Sequence, residues 1–125
     1  TSGGITPLNA VHPSAYVAES VQLGTGVMVG AKAIINAFST IGDGAICNSG
    51  SIVEHECKVG GYSHIAPGAV LCGSVTIGAG TLIGANSTVL VGVKIGANVT
   101  VGAGAIVLED IPASQTVFGN PARAH

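Results

Sequence analysis

Ile77-Gly78-Ala79-Gly80-Thr81-Leu82-Ile83-Gly84-Ala85-Asn86-Ser87-Thr88-Val89 repeats itself within its own length. An aliphatic residue recurs every six places, Gly follows it twice, and a small residue stands four places on. Outward in both directions the same step reaches Ile5, Val11, Val17, Leu23, Val29, Ile35, Ile41, Cys47, Val53, Val59, Ile65, Leu71, Ile95, Val101 and Val107. Every position in the series is apolar, all but Cys47 are aliphatic, and the register never slips between residues 5 and 107. Such self-similarity is the mark of a solenoid.

The physics of the period is simple. Six residues make one short strand and a turn. One large and one small inward side chain per strand fill a narrow interior, and Gly suits the turn because it tolerates positive φ and close backbone approach. No strand of this kind buries its face alone, so neighbours must stack.

The hexapeptide resembles the [LIV]-[GAED]-x-x-[STAV]-x repeat of the left-handed parallel β-helix acyltransferases. That resemblance implies an all-β fold, a left-handed parallel β-helix with three hexapeptides to an 18-residue coil. About six coils then cover residues 5–107. At roughly 4.8 Å per stacked strand the prism is about 28 Å long. Residues 1–4 read as an N-terminal linker or expression scar, and 108–125 as a C-terminal cap or arm that blunts the last strand edges.

Composition agrees. Of 125 residues 20 are Gly, 47% are hydrophobic, yet 3% are aromatic and 8% charged. An interior filled by Val, Ile, Leu and Ala suits thin stacked layers. The net charge of −2 offers no basic surface for nucleic acid. No apolar run approaches a membrane span. No signal peptide is recognisable, and three cysteines without a C-x-x-C pair read as reduced thiols of a cytoplasmic protein. Cys57 falls on a small inward position, where a thiol is buried and inert.

Chemistry concentrates in Asn48-Ser49-Gly50-Ser51-Ile52-Val53-Glu54-His55-Glu56-Cys57-Lys58-Val59-Gly60-Gly61-Tyr62-Ser63-His64. His55 stands two places past an inward residue, at a turn, and points outward between two carboxylates. A carboxylate partner selects the imidazole tautomer that a general base needs; spacing leaves open whether Glu54 or Glu56 supplies it. One coil away on either side lie Ala37 and Gly73, both small, which leaves room beside His55. A second small column, Pro67, Ala85 and Ala103, could admit a pantetheine arm.

Glu54-His55-Glu56-Cys57, His64 and the tail Gly119-Asn120-Pro121-Ala122-Arg123 together resemble the bacterial nucleotide-amino-sugar N-acetyltransferases, with the sialic acid O-acetyltransferases as relatives. The resemblance implies direct transfer from acetyl-CoA to a sugar acceptor, in a homotrimer with sites between subunits. It implies His55 as general base, Glu56 as its orienting carboxylate and Asn48 on the acceptor side, and it places His12 in the segment that opens the helix, in an N-terminal structural role or as an acceptor contact. His64, Gly73, Ala85 and Ala103 would line the acetyl-CoA groove, and no metal is called for. The family's N-terminal sugar-binding domain has no counterpart in these residues. Competing readings are a non-catalytic, trimerising solenoid and a zinc carbonic anhydrase of the same fold. The latter needs His pairs closer than the nine residues between His55 and His64.

Overall fold

The computed structural model describes residues 9–124; the N-terminal linker, the first repeat position at Ile5 and the terminal His125 lie outside them. Among the described residues nineteen short strands run from Ala10–Val11 to Arg123–Ala124, nearly all two residues long. Strands three apart pair in parallel, with partners eighteen residues apart: Met28 with Ile46, His64 with Leu82, Thr76 with Lys94. They form three sheets of eight, six and five strands, the flat faces of a left-handed triangular β-helix of about six coils.

The inward column from Val29 to Val107 is buried. Val11 is 41% exposed, because a coil covers it on only one side among the described residues. The second inward position carries Ala33, Ala45 and Ala69, with Ser39, Ser51, Ser63, Thr81 and Ser87 interspersed and buried. Each of those hydroxyls donates to a turn carbonyl at 2.7–2.8 Å. Such pairing removes the cost of a buried unsatisfied hydroxyl. Truncating one interior aliphatic, Ile65→Ala, would cost about 2–5 kcal/mol through the cavity it leaves.

The turns separate two reasons for Gly that the repeat pattern merges. The Gly directly after the aliphatic serves close approach: a Cβ on Gly60 would lie 2.5 Å from the Ala79 backbone nitrogen. Positive φ falls instead on the third residue after the aliphatic, at every sixth position from Gly26 to Gly104, whether or not it is Gly.

The stacking runs past Val107. Ile111 bridges to Ile95 and Val117 pairs with Val101, both sixteen residues on, and both are buried. Among the described residues only the strand Arg123–Ala124 turns back antiparallel. Residues 108–118 thus prolong the coil with a turn two residues shorter.

The outward columns differ by face. The first face, which includes His64–Ile65, shows Met28, Ile46 and Leu82. The second, with Ile52–Val53, shows Tyr16, Ile34, Ile52, Val70 and Ile106. The third, with Lys58–Val59, shows Gln22, Thr40, Lys58, Thr76 and Lys94. The second face is apolar but for Thr88, the first mixes these apolar residues with His64, Thr100 and Thr116, and the third is polar throughout. Among the described residues no helix is long and apolar enough to cross a membrane.

Candidate active site

His55 sits on the corner between the second and third faces. Its Nδ1–H donates to Glu56 Oε1 at 3.1 Å, and both side chains are more than half exposed. Glu54 is engaged elsewhere: its Oε1 accepts from Asn36 Nδ2 at 2.9 Å, one coil down. The choice that spacing leaves open therefore falls on Glu56. With Nδ1 protonated, Nε2 carries the lone pair, the form of imidazole that accepts a proton.

Nε2 stands over Gly73. A Cβ there would lie 2.7 Å from it, so the imidazole itself occupies the space that the missing side chain leaves. The room read from the sequence beside His55 thus serves, on the Gly73 side, to seat the ring. Glu56 adopts φ +60, a conformation costing an L-residue about 1–2 kcal/mol.

Two residues beneath this corner escape a reading by motif. Ser39 Oγ donates to the Glu54 carbonyl at 2.8 Å and accepts from Cys57 N–H at 3.1 Å, clamping the turn on both sides of His55. Asn36 holds Glu54 away from the imidazole. Asn36 lies eighteen residues before Glu54 and Ser39 eighteen before Cys57, so the stacking period was the signal that could have found them.

His64 opens a strand of the first face, across the prism from the His55 corner, and the two imidazoles point away from each other within one chain. Asn48 Oδ1 accepts from Ser49 N–H at 2.7 Å, which turns Nδ2 toward His64 Nε2 at 3.0 Å. That network assigns the His64 proton to Nδ1. Asn48 also lines a groove of about 540 Å³ with Ala10, His12, Met28 and Ile46. His12 is tied to its own turn: Ser14 N–H donates to Nδ1 at 3.0 Å. The structure thus joins His55 to Glu56 and Gly73, and Asn48 to His64 and His12. It separates Gly73 from Ala85 and Ala103, which lie on the corner between the first and second faces.

Burial pushes the Cys47 thiol up to about 12, and burial is also the main cause that raises Cys57 to about 11. Neither is a nucleophile at neutral pH. Among the described residues no three His, Cys, Asp or Glu side chains gather where they could hold a metal.

Fold and site define a hexapeptide-repeat β-helix with a histidine–carboxylate pair on one corner. Residues 74–109 match the hexapeptide repeat of succinyl-transferase. The chain is 35% identical over 72 residues to the GDP-perosamine N-acetyltransferase of Escherichia coli O157:H7, covering 58% of this chain and 33% of that protein. The crystal structure of PerB from Caulobacter crescentus with CoA and GDP-perosamine is similar at TM-score 0.95 and 45% identity. It covers 98% of this chain and 59% of PerB. The acetyltransferase domain of PglB from Neisseria gonorrhoeae with acetyl coenzyme A is similar at TM-score 0.95 and 39% identity, over 98% of this chain and 60% of that one. The chain is thus similar over nearly its whole length to the repeat domains of hexapeptide-repeat acetyltransferases. It spans about a third of the curated relative and about three fifths of the two solved chains.

Proposed function

We propose that the chain transfers acetyl from acetyl-CoA to the amino group of a nucleotide-linked sugar, with His55 as general base. The observation that carries this reading is the Nδ1-to-Glu56 contact at 3.1 Å on an exposed corner, which leaves Nε2 to accept a proton. His55 Nε2 takes the proton as the amine attacks the thioester carbonyl. The new N–C bond forms, the C–S bond breaks, and the imidazolium returns the proton to the departing sulfur, so that CoA leaves as its thiol. Glu56 steadies the imidazolium. A His64 Nδ1–H or a backbone N–H donates to the developing oxyanion. The acceptor class follows the relatives, two of which are tied by name to GDP-perosamine.

Assembly supports this chemistry. The apolar second face and the Met28, Ile46 and Leu82 of the first suit a ring in which the first face of one subunit packs on the second face of the next, a heterologous contact that closes as a trimer. Rotation about an axis parallel to the prism preserves height. His64 of the partner subunit then stands only half a coil above His55, on the face turned toward its corner. Acetyl-CoA would lie in that cleft.

Isothermal calorimetry tests the reading first. One acetyl-CoA per chain, together with CoA release when GDP-perosamine is added, is the expected result. A folded trimer that binds no acetyl-CoA would turn the reading toward a structural solenoid.

A further inference from the structure

Positive φ at the third turn position is set by the coil, and Gly fills seven of its occurrences from Gly26 to Gly104. Bulky side chains there carry a strain of about 1–2 kcal/mol each. Glu56 gains the His55 contact for it. Phe38, at φ +62, gains no burial: its side chain is 72% exposed, in a chain with two Phe and two Tyr. Its position is fixed from below, where Ser20 Oγ accepts from the Phe38 backbone N–H at 2.9 Å.

The register shows what Phe38 faces. Ile34 pairs with Ile52 and Ile35 with Val53, so Phe38 stands directly beneath Glu56 on the same corner. One strand spacing, about 4.8 Å, separates their backbones. On the other side of His55 the space over Gly73 is taken by the imidazole. The exposed apolar side chains of this corner are therefore Phe38 on one side of the base and Val91, beyond Gly73, on the other, and Phe38 is the aromatic one.

We propose that Phe38 is a specificity-determining platform on which the apolar C–H face of the acceptor's amino-sugar ring rests, next to the nitrogen that attacks. The inference deepens the acetyltransferase reading and rests on it. A sugar ring is about as wide as the step from Phe38 to Glu56. The nucleobase of the same acceptor is separated from the sugar by a pyrophosphate and a ribose, too far to reach this corner while the amine meets His55. Aromatic faces favour such flat apolar contacts.

The test uses the full chain with GDP-perosamine as acceptor and acetyl-CoA as donor. Phe38→Gly relieves the strained φ, so the fold survives. It should raise the acceptor KM about five- to tenfold, the scale of one aromatic contact. The acetyl-CoA KM and the sedimentation coefficient should stay unchanged, and Phe38→Tyr should restore the acceptor KM. An unchanged acceptor KM in Phe38→Gly overturns the inference while leaving the acetyltransferase reading intact. A change in sedimentation coefficient also overturns it, since Phe38 would then be a subunit contact. Wild-type chain that binds no acetyl-CoA, or moves no acetyl to GDP-perosamine, removes this inference together with its parent reading.

Discussion

Two corners of the prism share one backbone and differ in everything else. Between the first and second faces the turn residues are Ala31-Lys32, Ser49-Gly50, Pro67-Gly68, Ala85-Asn86 and Ala103-Gly104. Between the second and third they are Ala37-Phe38, His55-Glu56, Gly73-Ser74 and Val91-Gly92. The second residue of every pair has φ between +57 and +74. On the first corner Gly or Asn, which tolerate that conformation, occupy four of the five positions, and Lys32 is the exception. On the second, Phe38, Glu56 and Ser74 occupy three, and the strained carboxylate is the one that touches His55. The repeat sets the backbone, and at Glu56 the departure from the cheapest residue coincides with the contact to His55.

Substitutions can break this contrast, beginning with the largest effect. His55→Ala should lower turnover on the order of 10² or more, the range for a lost general base, with acetyl-CoA binding retained. Near-normal turnover in a steady-state assay would remove the mechanism and the special standing of the corner. Gly73→Ala comes next. Its Cβ would press on Nε2, and displacing the imidazole should cost on the order of ten- to a hundredfold in kcat with the melting temperature nearly unchanged. An unaffected kcat would mean that the ring does not work from its seat over Gly73.

Glu56→Gly and Gly26→Ala sharpen the comparison as a pair. The first removes strain together with the imidazole's partner. Turnover should fall about tenfold, the worth of one hydrogen bond to a charged group. Stability should barely move, because relief of about 1 kcal/mol is offset by the backbone entropy of Gly. Gly26→Ala adds strain on the third corner, where a Cβ meets nothing within 4 Å. It should cost about 1 kcal/mol in denaturant unfolding and leave turnover alone. Equal losses of turnover in the two would show that the effect at Glu56 is not specific to its carboxylate.

The smallest effect is expected at the thiols. Cys57→Ser should keep turnover, and alkylation of the native protein near pH 8 should spare Cys47 and Cys57, whose raised thiols stay protonated. Loss of activity with an intact fold would revive a thiol mechanism.

The stacking map was legible residue by residue. Met28 over Ile46 and Thr76 over Lys94 follow from adding eighteen, and the map extends to Asn36 beneath Glu54 and Ser39 beneath Cys57. It failed where the period ends: the turn after Val107 loses two residues, and Ile111 and Val117 still join the core. The groove assigned to Gly73, Ala85 and Ala103 is divided between two corners. A column list records height along the prism and not the direction in which a corner faces.

The sequence by itself determined the period, the coil, the inward columns and the outward His55 with a carboxylate on each side. It could do so because each coil touches only its neighbours, which makes the fold a nearly one-dimensional problem. Tertiary structure alone decided which carboxylate serves His55, since that depends on Asn36 drawing Glu54 away from a different coil. It also decided that the imidazole fills the space over Gly73, and that His55 and His64 look out from opposite sides of one prism. Those are matters of angle around the axis. Three flat faces joined by sharp corners fix angles that a six-residue period does not record.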